Sequence, residues 1–297
     1  MEFITVFTPA YNRCNLLKRV YKSLKRQTDK DFRWMVIDDG STDGTGKYIA
    51  SLMKKTNDFQ IEYYYKPNGG LHTAYNEAIR HLQTELCMCC DSDDWLPDNC
   101  IEKIRKTWKK KGRKHLAGVI GLDCDASGKI IGRRLPDKSV IDLNELFIRG
   151  KLHGDKKIAV RSELYQSIPP MKTCQGEKNF NPNYYNVAVS EHYKWIVLNE
   201  NLCYVEYQKD GMSSRIYKQY ADSPNSFMEL RRLYLGLRKA TFLFKCRHII
   251  HYDAECLLAG RRKEIFGSAS PDRVLCTLFY PAGLVYYAYI RSRCRKF

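Results

Sequence analysis

Over its first ninety or so residues the chain alternates apolar, strand-like runs with helical stretches, and every run breaks off into a polar motif. Residues 3–8 (FITVFT) are apolar and β-branched and stop at Pro9, which predicts a buried strand. Residues 13–27 carry Leu16, Leu17, Val20 and Leu24 at helical spacing. Residues 32–37, 60–65 and 85–90 repeat the strand pattern, with helical segments over 44–55 and 71–82 between them. Such alternation implies right-handed crossovers and a mostly parallel sheet with helices on both faces, an α/β fold. Open sheets of this kind bind ligands at the carboxyl ends of their strands. Residues 8–12, Asp38 with Asp39, residues 68–72 and residues 91–94 are therefore expected to converge on one crevice.

Beyond residue 118 the pattern weakens. Residues 118–122 and 158–161 read as strands, and Asn181 before Pro182 as a cap opening a helix to about Leu198. Residues 202–207 read as another strand, and from about Ser226 onward the spacing is helical. The turn at residues 222–225 places a boundary near residue 220, dividing a domain over 1–220 from a helical region over 221–297. Hydrophobic residues make up 44% of the 297, enough for a buried core. The 12 cysteines lack paired C-x2-C spacing, so Cys87, Cys89 and Cys90 are expected to be reduced core thiols. The chain opens directly on a strand, so a reducing cytosolic setting without a signal peptide is expected.

The polar motifs carry specific chemistry. In Asp91-Ser92-Asp93-Asp94, two carboxylates separated by one residue lie on one side of an extended chain and can share a hard divalent ion. Asp38 and Asp39, right after a buried strand, can accept from a base or a ribose hydroxyl, while Asp43 suits a helix cap. Tyr11, beyond Thr8, Pro9 and Ala10, can stack on a base. Gly69 and Gly70 before a helix let backbone amides approach a phosphate. There is no G-x-G-x-x-G after the first strand and no P-loop, so dinucleotide and ATPase readings lose their signatures.

TPAYNR, VIDDGSTDGT, NGGLHTAYNEAI and CDSDDWLPD, in this order and spacing, resemble the family 2 glycosyltransferases of GT-A fold. The resemblance is strong over residues 1–100, thinner to about 215, and silent beyond 220. It implies a Rossmann-like, mostly parallel sheet flanked by helices, with a C-terminal helical extension. It implies inverting transfer from a nucleotide-diphospho-sugar, most often a UDP-sugar, with Mn2+ or Mg2+. By motif, Thr8, Pro9, Ala10 and Tyr11 frame the base and Asp39 binds uracil. Gly70, His72, Asp91 and Ser92 complete the nucleotide-sugar site, and Asp91 and Asp93 hold the metal, with Asp94 assisting. Asn76 is structural. Inversion needs a general base for the acceptor hydroxyl. Glu177 in Gly176-Glu177-Lys178 matches the family's region for it, with Glu191 as second choice. A second acid common in relatives is replaced by Asn181-Pro182-Asn183, and a basic residue common after the glycine pair by Leu71, so the resemblance leaves phosphate contacts to backbone amides, His72 or Lys66.

The formal charge of +17, from 50 basic and 33 acidic residues, favours polyanionic partners. Acidic strand-end loops argue against nucleic acid. Residues 274–290 form an uncharged stretch between Arg273 and the basic tail from Arg291, rich in tyrosine and interrupted by Pro281. It is short for a membrane span and suits an interface, as a monotopic anchor on an anionic membrane surface; the alternative is a helix packed on protein. The resulting expectation is a cytoplasmic enzyme, peripheral on the inner face of the cell membrane, acting on a saccharide or lipid-linked oligosaccharide, with a homo-oligomer left open. The competing readings are a catalytically inactive partner subunit and a sugar nucleotidyltransferase.

Overall fold

The computed structural model describes residues 2–206 and 215–294. β1 (Ile4–Ala10), α1 (Cys14–Lys25), β2 (Phe32–Asp38), α2 (Thr45–Lys55), β3 (Gln60–Tyr65), α3 (Leu71–Arg80) and β4 (Leu86–Cys89) alternate as the spacing predicts. There follow α4 (Cys100–Lys111), β5 (Leu116–Cys124), β6 (Val140–Ile141), α5 (Leu143–Ile148), β7 (Lys156–Arg161), α6 (Ser162–Ser167), α7 (Asn183–Ser190) and β8 (Lys194–Tyr204). The described chain ends in α8 (Ile216–Asp222), α9 (Pro224–Leu235), α10 (Phe242–Leu258), α11 (Lys263–Phe266) and α12 (Arg273–Cys294).

The chain divides into two compact units. The first comprises residues 1–69, 73–169 and 192–208, and the second residues 70–72, 170–191 and 209–297. The first unit is α/β. Among the described residues its sheet has eight strands, in the order β3-β2-β1-β4-β7-β5-β8-β6. β3, β2, β1 and β4 run parallel, and β7 runs antiparallel to both β4 and β5. Every residue of β1 and β2 is buried, as expected for parallel strands covered on both faces. α1 buries Leu17, Val20 and Leu24 on one side, and α4 buries Ile101, Ile104 and Trp108 while its lysine run stays in solvent. Burying side chains such as Leu17 or Ile104 contributes roughly 1.5–3 kcal/mol each.

Two expectations need correction. Pro9 lies inside β1 rather than ending it. The ladder to β4 runs only from Ile4 to Phe7, so Pro9 falls past it and its missing N–H costs no bond on that side. The helix expected from Asn181 to Leu198 ends at Ser190, and residues 194–198 belong to β8. Trp195, Ile196 and Val197 are buried between β5 and β6. A strand covered on both faces has no alternation to distinguish it from a buried helix. The strand expected over 202–207 is the second half of β8, which stops at Tyr204; residue 207 lies outside the described residues.

The second unit is helical, and its core joins Met228, Leu235, Ile249, Tyr252, Cys256, Ile265 and Cys276. A polar cluster is sealed into it. The Arg231 guanidinium is 3.2 Å from Glu255 and donates towards Nδ1 of His251 at 3.3 Å. Tyr220 and Tyr234 each present a ring to it, at 5.6 and 5.8 Å. Burial, then the Arg231 charge, hold the His248 and His251 pKa values far below the usual imidazole value, so both rings are neutral acceptors. α10 and α12 meet closely. A Cβ on Gly283 would stand 2.6 Å from Cβ of Asp253. Asp253 is fully buried, with no charged partner and the weakly donating Cys276 thiol beside it.

Burial pushes the Asp253 carboxyl up to about 7. Between pH 4 and 7 the folded chain therefore keeps a proton that the unfolded chain releases, so this group's contribution to stability declines as pH rises through that window. Asp253→Asn is expected to remove on the order of 3 kcal/mol of that decline and to raise stability at pH 8. Urea unfolding at pH 5 and pH 8 measures it; equal pH slopes in both proteins would refute the assignment.

Candidate active site

Strand register builds the site. Ala10, Asp38 and Tyr65 stand side by side at the ends of β1, β2 and β3. Cys89 of β4 pairs with Phe7, so continuing that register brings Asp91 level with Pro9. The loops that follow these strands thus leave the sheet at one edge, as the motif positions predict.

Hydrogen bonds lock the loops together. Asn12 takes a left-handed φ of 52°, a conformation that asparagine tolerates better than most residues. Its amide donates to Oγ of Ser41 at 2.9 Å, and its Oδ1 accepts from the Thr42 amide at 2.8 Å. Asp43 accepts from the Cys14 amide and from the amide and hydroxyl of Thr45. It caps the start of α2 from one residue before Gly44, the cap position itself. Asp38 is consumed internally, taking the Ser41 amide at 2.7 Å and the Tyr63 hydroxyl at 2.6 Å.

Asp39, the expected base contact, is buried and well partnered. Its amide donates to the Ala10 carbonyl at 2.8 Å. Its carboxylate accepts from the Lys66 ammonium, from the Gly69 amide at 2.9 Å and from the Asn68 side chain at 3.0 Å. Lys66, considered from sequence for a phosphate, here neutralises Asp39. Thr8 is fully buried and its Oγ accepts from Nε1 of Trp34 at 3.0 Å. Pro9 and Ala10 are buried in β1, whereas Tyr11 is half exposed. Gly70 and His72 fall in the second unit. Gly70 has a φ of 94°, and a Cβ there would stand 2.0 Å from the Lys178 carbonyl, so close approach to that backbone requires glycine. His72 is fully buried, its ring 6.4 Å from that of Phe180.

Residues 91–94 form an acidic centre with a buried cation beneath it. Ser92 and Asp94 are buried, Asp91 and Asp93 partly so. Burial pushes the Asp93 carboxyl up, and the charge of Asp91 adds to the shift. Asp91 and Asp93 are thus close enough to repel, a surplus of oxygen-borne negative charge that fits a hard divalent cation. Asp94 points elsewhere. Its Oδ2 is 3.4 Å from Nζ of Lys157, a buried lysine on β7. Burial works against the Lys157 charge, but Cys203, Asp123, Asp94 and Asp91 outweigh it and hold its pKa well above the usual value. Burial likewise raises Asp94, and it pushes Asp123 up to about 6. The Arg19 guanidinium lies 4.2 Å over the Trp95 ring and donates to the Asp93 carbonyl, fixing the far side of the loop.

Lys157, Asp123 and Arg19 escaped the sequence reading. The doublet Lys156-Lys157 in a strand did hold a signal, because alternation must send one of the two inward. The expected general bases lie in the second unit. Oε1 of Glu177 accepts from the amide and side chain of Asn225 at 2.8 and 2.7 Å. Its Oε2 accepts from the amide and hydroxyl of Ser226 at 2.8 and 2.6 Å. The carboxylate sits on the first amides of α9, a capping geometry stabilised by the helix dipole. Such contacts fit a structural cap better than the proton acceptor expected from sequence. Oε2 of Glu191 accepts from the backbone amide and Nε of Arg238 at 3.1 and 3.3 Å.

A family model described as Glycosyl transferase family 2 matches residues 5–165, more than half of the chain. Among curated proteins, the chain is 26% identical over 245 residues to the GalNAc(5)-diNAcBac-PP-undecaprenol beta-1,3-glucosyltransferase of Campylobacter jejuni, covering 80% of this chain and 72% of that one. It is 33% identical over 103 residues to glycosyltransferase GlyA of Streptococcus pneumoniae, covering 35% of this chain and 14% of that one. Several of these relatives are far longer, and the chain spans only 11–26% of the length of GlyA, a Rickettsia conorii glycosyltransferase and the Pasteurella multocida chondroitin synthase. Among solved structures, S. aureus TarS 1–349 in complex with UDP-GlcNAc superposes with a TM-score of 0.62 at 15% identity, over 100% of this chain and 92% of that one. The Pyrobaculum calidifontis mannosyltransferase PcManGT, in complex with GDP-Man and Mn2+, gives 0.55 at 15% identity, over 96% and 87%. At these identities the superpositions show a shared GT-A fold.

Substitutions at Lys157 and Glu177 probe the framework around these acids. Lys157→Met strands the carboxylates around it and is expected to cost about 3–5 kcal/mol in urea unfolding; a loss below about 1 kcal/mol would mean that the cation balances nothing. Glu177→Ala strips the α9 cap and is expected to cost roughly 2 kcal/mol. Glu177→Gln should lower the melting temperature while turnover at low temperature persists. A large loss of turnover with an unchanged melting temperature would restore Glu177 as the base.

Proposed function

The chain belongs to glycosyltransferase family 2, and from that membership we propose that it moves a sugar from a nucleotide-diphospho-sugar, most readily a UDP-sugar, to a saccharide or lipid-linked acceptor with inversion. The observation that carries this reading is the meeting of Tyr11, Asp39 and the Asp91-to-Asp94 loop at one sheet edge. Tyr11, half exposed, offers a ring to the base. Asp39 offers a carboxylate for the uracil, and the Lys66 ammonium beside it can turn towards a phosphate when the base takes its place. Asp91 and Asp93 would hold Mn2+ or Mg2+ together with oxygens of the donor. The ion would supply Lewis acidity to the diphosphate leaving group. Ser92 and the buried Asp94–Lys157 pair keep the loop in place.

In the transfer, the acceptor oxygen bonds to the anomeric carbon as the bond to the diphosphate breaks, and the acceptor proton passes to a carboxylate. Three acids come into consideration. Asp94 is engaged by Lys157 and Glu177 by the start of α9. Glu191 is likewise engaged, by Arg238, so engagement does not separate the three, and we carry Glu191 forward as the acid to test beside Glu177. We assign catalysis to residues 1–220 and a supporting role to the helices of 221–297. Among the described residues no helix is long and apolar enough to cross a membrane. We place the protein on the cytoplasmic side of the cell membrane as a peripheral enzyme, with room for a homo-oligomer. The relationship to a glucosyltransferase named for an undecaprenol-linked saccharide supports an acceptor at a membrane.

A binding and hydrolysis screen against UDP-, GDP-, dTDP- and CMP-sugars, with Mn2+ or with EDTA, tests the reading. One UDP-sugar is expected to bind and hydrolyse slowly with metal only. Asp93→Ala is expected to lower that rate by about 100-fold or more, as loss of transition-state charge stabilisation does. No response from any nucleotide sugar would overturn the reading in favour of a catalytically inactive relative.

A further inference from the structure

α12 has two faces of different fate. Cys276, Gly283 and Ile290, at seven-residue spacing, are buried. The contacts of Gly283 with Asp253 and of Tyr286 with His251, whose rings are 4.4 Å apart, fix this face against α10. The opposite face is open. Val274, Leu278, Leu284 and Val285 are 76, 65, 41 and 72% exposed, while Tyr289, at the margin, packs its ring edge-on against Tyr217 of α8 at 5.3 Å. Thr277, Pro281 and Ala288 fill the same stripe and are exposed too. The stripe is uncharged over residues 274–290, about 25 Å of helix at 1.5 Å per residue. A solvent-facing apolar band of this length calls for an occupant.

Charge selects that occupant. Arg273 precedes the stripe, and Arg291 and Arg293 follow it; α12 contains no acidic residue. The two C-terminal guanidiniums lie over tyrosine rings of their own helix, Arg291 on Tyr287 at 5.6 Å and Arg293 on Tyr289 at 5.2 Å. Each also donates to the phenol oxygen of its ring, at 2.9 and 3.1 Å. α10 runs antiparallel to α12, as the pairing of Asp253 with Gly283 and His251 with Tyr286 requires. That direction brings the exposed Phe242 and Leu243 to the basic end of α12. Pairing with a second copy would set arginine against arginine in either orientation. An anionic lipid surface accepts the apolar band among its acyl chains and the arginines among its headgroups.

We propose that the Val274, Leu278, Leu284 and Val285 face of α12, with Arg291 and Arg293, is a docking surface for an anionic lipid bilayer, on which the helix lies flat. This deepens the reading of a peripheral enzyme and rests on it for its purpose, but the binding is measured without any donor. The full chain is sedimented with phosphatidylcholine vesicles and with vesicles that also contain phosphatidylglycerol. It is expected to partition onto the anionic vesicles alone, less so as salt rises. Leu278→Ser with Val285→Ser, and separately Arg291→Ala with Arg293→Ala, are each expected to weaken partition by about tenfold or more. These side chains are exposed, so melting temperatures should stay unchanged, and slow donor hydrolysis should persist in both variants. That separates failure of this surface from failure of the donor site. Equal partition of all three proteins, or no partition onto anionic vesicles, overturns the proposal. So does a concentration-dependent dimer in ultracentrifugation that Leu278→Ser with Val285→Ser abolishes while vesicle binding is absent; the face would then belong to a second copy.

Discussion

A sheet that delivers carboxylates to one edge must keep them from driving each other apart. Asp38, Asp39, Asp91, Asp93, Asp94 and Asp123 all lie at or just beyond strand ends, most of them buried. Each is handled locally. Asp38 is tied by a backbone amide and the Tyr63 hydroxyl, Asp39 by Lys66, and Asp94 by Lys157. Buried charges persist when they are paired and hydrogen-bonded. Asp91 and Asp93 stand apart, because burial and the charge of Asp91 raise the Asp93 carboxyl against a backbone hydrogen bond and the charges of Arg13 and Arg19. Negative charge is thus concentrated at Asp91 and Asp93, beside neutralised neighbours.

The helical unit solves a similar problem by different means. Arg231 is enclosed by Glu255, by two neutral histidines and by tyrosine rings, so a full charge is carried inside a small helical core. Asp253 has no charged partner, only the Cys276 thiol beside it, and stays protonated into the neutral range. Glu177 closes the N-terminus of α9 with both oxygens. In an isolated loop it reads as a reactive acid; in the folded unit its lone pairs satisfy amides that would otherwise be orphaned.

Legibility in the sequence followed the range of the interaction involved. The alternation of β1 to β4 with α1 to α3 was readable, because hydrophobic spacing and turn residues are local. So was the meeting of the strand-end motifs, since parallel strands in register must end together. The first half of β8 was not readable, because Trp195, Ile196 and Val197 are buried on both faces and show no alternation. Pro9 was taken as a stop because nothing local tells that β4 has already ended beside it. Lys157 hid in a lysine doublet, since which lysine points inward depends on the register of β7 against β4 and β5.

By itself, the sequence determined the α/β order, the family motifs and the placing of acids at strand ends, each set by neighbours a few residues apart. Tertiary structure decided how those acids are spent: Asp39 on Lys66, Asp94 on Lys157 and Glu177 on the start of α9. It also decided that one face of residues 274–290 packs on α10 while the other stays open. These outcomes depend on partners 27 to 63 residues away and more. No local pattern encodes which of several charged or apolar groups will arrive opposite another once the chain has closed.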